Sequence, residues 1–144
     1  MQTTDKILNI LNTMATGSDG LQTVMYASPW DTNIRIDRNP TPAAIVYLID
    51  GFTIDTSTGK RRNKCSVEIF FCTRCDFAAK GEVIKETMET VEPLVDEFVS
   101  LLYADKSLLV DEKIVCRAAY GRFDAHVCGY SLQCEVAERV ATCL

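Results

Sequence analysis

The sequence has little of what most catalytic sites require. It contains one histidine, His126, and no Gly-x-Ser-x-Gly segment, so the usual pattern of a nucleophile with its base is not evident. Its seven glycines are scattered and form no phosphate-binding motif of the Walker or dinucleotide type. We therefore expect a protein that is not an enzyme and that needs no cofactor.

Long apolar runs are also missing. No stretch approaches the roughly 20 apolar residues needed to cross a bilayer, and residues 1–5 lack the basic start of a signal peptide. We therefore expect a cytosolic protein whose cysteines stay reduced and whose partners do not include a membrane. The net charge of −5 argues against a broad nucleic-acid-binding surface, so specific nucleic-acid recognition is not expected.

The strongest positive pattern is a long amphipathic helix over residues 78–104. Apolar residues recur at alternating spacings of four and three, which places them on one face of a helix. These residues are Ile84, Met88, Val91, Val95, Phe98 and Leu102. Pro93 lies inside the run, and a proline there removes a backbone hydrogen bond. We therefore expect the helix to kink or to restart near Pro93.

The remaining patterns predict a sheet. Residues 43–50 are apolar on both faces, which is typical of a central strand. Residues 64–73 alternate and should pair with them as an antiparallel hairpin with a long, protruding loop. Further elements are a helix at 4–16 capped by Thr3 or Thr4, a weak strand at 21–26, and strands at 113–120 and 126–136.

These elements predict the fold class. The 144 residues suit a single α+β domain, 1–144, that holds its core without disulfides or metals. We expect an antiparallel or mixed sheet of four to five strands. The long amphipathic helix should pack on one face of this sheet, accompanied by the short N-terminal helix.

The cysteines leave two alternatives open. Cys72 and Cys75 form a CxxC, and His126 with Cys128 are the partners available for a four-ligand zinc site. Thiols that fill space at a strand end are favoured instead, so we expect no metal. The alternatives are a thiol-binding or zinc-binding module that uses Cys72 and Cys75, and a small intracellular α+β enzyme or ligand-binding domain with a pocket near His126 and Cys128.

Two features are candidate protein interfaces. Lys60, Arg61 and Arg62 form a basic cluster at the tip of the predicted hairpin in an otherwise acidic protein. Such a tip is either solvated or in contact with an acidic neighbour. Trp30 lies in a proline-rich loop, residues 28–42, and aromatic residues are common in interface cores. A tryptophan folded onto the core of its own domain would give the same pattern.

The order of the elements resembles that of the tail terminator and tail completion proteins of long-tailed bacteriophages. The resemblance begins with Ile7, Leu8 and Leu11 in the short helix, and with Pro40-Thr41-Pro42 before the apolar strand 43–50. It continues through Val67-Glu68-Ile69-Phe70-Phe71, the long helix at 80–102 and the closing strand pair at 114–136. It covers nearly the whole chain and rests on order and spacing.

The resemblance implies a structural protein of the virion. Such proteins form a homo-oligomeric ring, typically a hexamer, that ends the tail tube and joins the tail to the head. The ring is assembled in the cytoplasm of the bacterial host and stays in the neck of the virion. Its partners are its own copies, the tail tube protein and the neck or connector proteins. A neighbouring head–tail connector ring has the same order of elements and stays open as a reading.

Overall fold

The computed structural model describes residues 2–17, 20–28, 38–47, 51–57, 59, 61–75, 81–122 and 126–138. Two helices are present in these ranges, α1 (Gln2–Thr16) and α2 (Gly81–Ala104). The strands are β1 (Thr23–Ala27), β2 (Ala43–Tyr47), β3 (Thr53–Asp55), β4 (Arg62–Arg74), β5 (Leu108–Val110), β6 (Val115–Arg122) and β7 (Val127–Glu138). Neither helix in these ranges is long and apolar enough to span a membrane.

The two longest strands, β4 and β7, form the centre of a mixed sheet. They pair antiparallel from Lys64–Ala137 to Arg74–Val127. A strand has only two edges, so β2 and β3 share the other edge of β4, while β5 and β6 share the other edge of β7. β1 pairs with β2 in parallel, which makes the sheet mixed. Because β1, β3, β5 and β6 each have one partner among the described residues, they lie at the sheet's edges.

The main core lies between the sheet and both helices. On α2 the buried face holds six residues, Met88, Val91, Leu94, Val95, Phe98 and Leu102. On β4 every second residue from Cys65 to Phe71 enters this core, as the alternation predicts. The Phe71 and Phe98 rings join sheet to helix, with centroids 5.6 Å apart and tilted by 52°. α1 adds Ile7, Leu11 and Met14.

The opposite face of the sheet is divided. One half is apolar and buried around Met25, Ile45, Phe70, Cys72 and Val127. The half near β3 is polar and carries the charged side chains of β4 and β7. The split follows the sequence of β4, whose residues on this face change from Lys64, Ser66 and Glu68 to Phe70 and Cys72.

The sequence predicts the class of this fold correctly: an α+β structure with a long helix and a short N-terminal helix. The predicted strand count is too low, because the sheet has seven strands and not four to five. The two missed strands, β3 and β5, are three residues long each. Three residues do not complete the alternation that identifies a strand in a sequence.

The structure contradicts two local predictions, a restart of the long helix at Pro93 and a cap of α1 at Thr3 or Thr4. α2 runs through Pro93 as one helix and does not restart there. Pro93 is exposed, and packing of the opposite face holds the helix together across the lost hydrogen bond. Thr3 and Thr4 lie inside α1 and do not precede it as caps. Instead, the Thr3 hydroxyl donates to Glu138 Oε1 at 2.8 Å and ties the helix to the end of β7.

Candidate interaction surfaces

The basic turn comprises Lys60, Arg61 and Arg62 and connects β3 to β4. Arg61 is exposed and Arg62, the first residue of β4, is half-buried. Lys60 and Trp30 lie outside the described residues. In the part of the chain that the structure describes, neither Arg61 nor Arg62 forms an ion pair. The two guanidinium groups are therefore available to an outside partner.

Asp55 holds the base of the basic turn. Its Oδ1 accepts the backbone N–H of Ser57 at 2.9 Å, and its Oδ2 lies 3.1 Å from Lys64 Nζ. Hydrogen bonds from Ser57, followed by the contact with Lys64, lower the pKa of Asp55 to about 2. Because Asp55 neutralises Lys64, the unpaired positive charge among the described residues of this region lies on the basic turn.

The CxxC does not bring its two thiols together. Cys72 is paired with Gly129 and points to the buried apolar patch opposite the helices. Cys75 lies instead beside Cys128, which pairs with Thr73 and points to the other face. Burial, followed by this contact with Cys75, raises the pKa of Cys128 to about 12. Among the described residues no group of three or more His, Cys, Asp or Glu is placed to hold a metal ion.

His126 has a backbone role in the structure. It precedes β7 with a φ of 52°, a left-handed conformation that is uncommon for a residue other than glycine. Its carbonyl accepts the backbone N–H of Cys75 at 2.9 Å and the Cys75 thiol at 3.4 Å. The strand alternation expected to start at His126 therefore starts one residue later, at Val127.

An open groove of about 850 Å³ lies on the polar half of the face opposite the helices. Its floor is formed by side chains of β4 and β7, among them Lys64, Glu68 and Glu135. The Glu68 carboxylate accepts the Ser131 hydroxyl at 2.9 Å. Small-molecule sites are mostly apolar and enclosed, whereas this groove is open and its lining is about equally polar and apolar. It also includes neither His126 nor Cys128, where the sequence suggests a pocket.

Exposed apolar side chains gather at the edges of the sheet. Seven large ones are exposed among the described residues, and five of these lie on or beside β1, β3 and β6: Tyr26, Phe52, Ile54, Val115 and Tyr120. Tyr120 is 63% exposed and Phe52 53%. Natural edge strands are usually protected by charges, prolines or a covering element. Apolar residues along several edges are therefore candidate interaction surfaces.

β6 is the longest of these three strands. It has eight residues, and the side chains from Val115 to Ala118 and of Tyr120 are all exposed. One extra residue in β6 opposes β7 between Ala119 and Arg122, which forms a bulge. The sequence predicts a strand at 113–120, but not that its apolar side chains stay exposed.

The exposed flank of α2 continues the surface of β6. Glu92 Oε1 accepts the hydroxyl of Tyr130 at 2.8 Å, and Tyr130 is the β7 partner of Ala118. This bond raises the pKa of Tyr130 to about 12. Partial desolvation, followed by the nearby Asp96 carboxylate, raises the pKa of Cys116. We call this continuous area the α2–β6 surface. Its residues are Glu89, Glu92, Asp96, Cys116, Ala118 and Tyr120.

The fold thus offers a basic turn on one side and an acidic, partly apolar surface on the other. A comparison with protein-family models and a comparison with curated proteins each give no match to this chain.

Proposed function

We propose that the protein is a structural component of a bacteriophage virion that forms a ring at the end of the tail. The ring stops growth of the tail tube and joins the tail to the head through protein contacts. The proposal starts from the order of the elements in the sequence, which resembles that of tail terminator and tail completion proteins. It needs neither a reaction nor a cofactor.

The observation that supports the proposal most directly is the position of the exposed apolar side chains. Five of the seven lie on or beside three edge strands of one sheet. A protein that acts alone gains nothing from apolar edges, which invite aggregation. In a ring, each copy covers an edge of its neighbour, and the apolar area becomes an interface.

The open groove and the basic turn are further surfaces for assembly. The groove is wide and its lining mixes polar with apolar residues, which suits a protein partner such as a tail tube or neck protein better than a small apolar ligand. In the proposed ring, the turn with Lys60, Arg61 and Arg62 and the loop with Trp30 contact neighbouring chains.

Light scattering and negative-stain microscopy of the purified protein test the proposal. We expect rings, or rings bound at the ends of tubes when tail tubes are added, with a mass close to that of six copies. A monomer at high concentration that also fails to bind tail tubes would contradict the proposal. Elemental analysis tests the zinc alternative in the same sample: one zinc per chain would contradict the space-filling role of Cys72 and Cys75.

A further inference from the structure

The α2–β6 surface is an uncovered part of the fold with a definite charge. Three exposed carboxylates, Glu89, Glu92 and Asp96, lie along it, and Lys85 forms an ion pair with the first of them. The Lys85–Glu89 pair is 3.8 Å long and largely exposed, so it neutralises little of that charge. Tyr120 and Ala118 supply apolar area beside the carboxylates.

The basic turn has the complementary character. Arg61 is exposed, projects from the end of a strand pair, and has no acidic partner among the described residues. The chain as a whole is acidic, with a net charge of −5, so basic partners for the α2–β6 surface are scarce on the protein itself. The basic turn has three cationic residues at adjacent positions in the sequence.

The basic turn cannot reach the α2–β6 surface of its own chain. The turn precedes Lys64, which pairs with Ala137, whereas Ala118 of the surface pairs with Tyr130. Seven residues of extended β7 separate Tyr130 from Ala137, a distance of about 23 Å. In addition, β4 and β6 lie on opposite edges of β7. A contact between the two charged areas therefore requires a second copy.

We propose that the α2–β6 surface of one copy receives the basic turn of the next copy. The two areas differ from each other, so the contact is head-to-tail, and repetition of a head-to-tail contact closes a ring when the rotation allows it. The inference rests on the proposed function and specifies which surfaces join the copies. The opposite charges fix the orientation of the contact, and Tyr120 with Ala118 adds buried apolar area.

Two charge-reversal variants test this contact. The first, Lys60→Glu with Arg61→Glu, makes the turn acidic. The second, Glu89→Lys with Asp96→Lys, makes the surface basic and spares Glu92, which holds Tyr130. We expect each variant alone to weaken assembly by roughly tenfold or more, because like charges then face each other. Circular dichroism checks that each variant is folded.

A mixture of the two variants gives the decisive result. In an equimolar mixture the acidic turn meets a basic surface, and the native basic turn meets a native acidic surface. We expect rings to form again from the mixture. The matched control exchanges exposed charges elsewhere, Lys106→Glu with Glu112→Lys, and should assemble like the unaltered protein.

The outcomes separate this inference from the proposed function. Rings formed by each variant alone, or a folded mixture that stays dissociated while the unaltered protein forms rings, would overturn the head-to-tail contact and leave the ring itself in place. A lack of any ring from the unaltered protein, with or without tail tubes, would overturn both.

Discussion

At the scale of single residues, polar side chains hold the N-terminal helix and the basic turn in place. Thr3 binds Glu138 and Asp55 binds Ser57 and Lys64, so α1 and the basic turn are each held by polar side-chain contacts. These contacts join parts of the chain that the sequence pattern treats separately. The Thr3–Glu138 bond spans 135 residues, and no local pattern predicts such a partner.

The pH dependence of the basic turn is set by Asp55. Its pKa is lowered from 3.8 to about 2, so the folded form favours the carboxylate. A lowered pKa contributes stability that is fully present above the unfolded value and is lost as the pH falls through the folded value. We therefore expect the turn to loosen between about pH 4 and pH 2, while it stays ordered at neutral pH.

NMR titration of the Asp55 carboxyl carbon measures this pKa directly. We expect Ser57→Ala to raise the pKa more than Lys64→Met, because the hydrogen bonds from Ser57 are the largest cause of the shift. Lys106→Met, at an exposed position away from the turn, is the control and should leave the pKa unchanged. A larger effect of Lys64→Met than of Ser57→Ala would contradict the assignment.

At the scale of secondary structure, the sequence predicts the elements with complete patterns and misses those without one. The four-and-three spacing of α2 and the alternation of β4 follow from burial of one face, which leaves a periodic signal. By contrast, β3 and β5 are short strands that form because long strands beside them offer free backbone groups. Their existence depends on pairing distant in sequence, so it cannot be inferred locally.

The two candidate surfaces also differ in whether the sequence predicts them. The basic turn is visible in the sequence because three adjacent cations stand out in an acidic chain. The α2–β6 surface is not visible, since it combines carboxylates of a helix with side chains of a strand roughly 20 residues later. The exposure of the β6 side chains depends on the tertiary structure, in which no other described element covers them.

β4 and β7 approach each other closely at Gly129 in β7. A Cβ atom added there would overlap the backbone carbonyl of Phe71, which cannot rotate away. We expect Gly129→Ala to destabilise the fold by about 3 kcal/mol or more, because β4 and β7 must move apart. Urea unfolding followed by circular dichroism measures the change.

Gly81→Ala is the matched control for this substitution. Gly81 is the first residue of α2, and an added Cβ atom meets no atom within 4 Å. We expect a change within about 0.5 kcal/mol, since the site is exposed and alanine favours a helix. Similar losses of stability from both variants would show that the approach at Gly129 is not what limits the sheet.

At the scale of the whole molecule, assembly and stability should be coupled. Any partner that binds only the folded chain raises its apparent stability, and a partner at about 100 times its dissociation constant adds about 2.7 kcal/mol. If copies join through the basic turn and the α2–β6 surface, the thermal unfolding midpoint should rise with protein concentration. Added salt should lower the midpoint of the concentrated sample more than that of the dilute one, because it screens the interface charges.

The variant with Lys60→Glu and Arg61→Glu separates assembly from folding in this measurement. In dilute solution we expect its midpoint to match that of the unaltered protein, because Arg61 is exposed and has no ion pair among the described residues. In concentrated solution the variant should unfold at the same midpoint as in dilute solution, while the midpoint of the unaltered protein rises. A parallel rise in both proteins would mean that the copies associate through another surface, and the free edges β1 and β3 would then be the next to test.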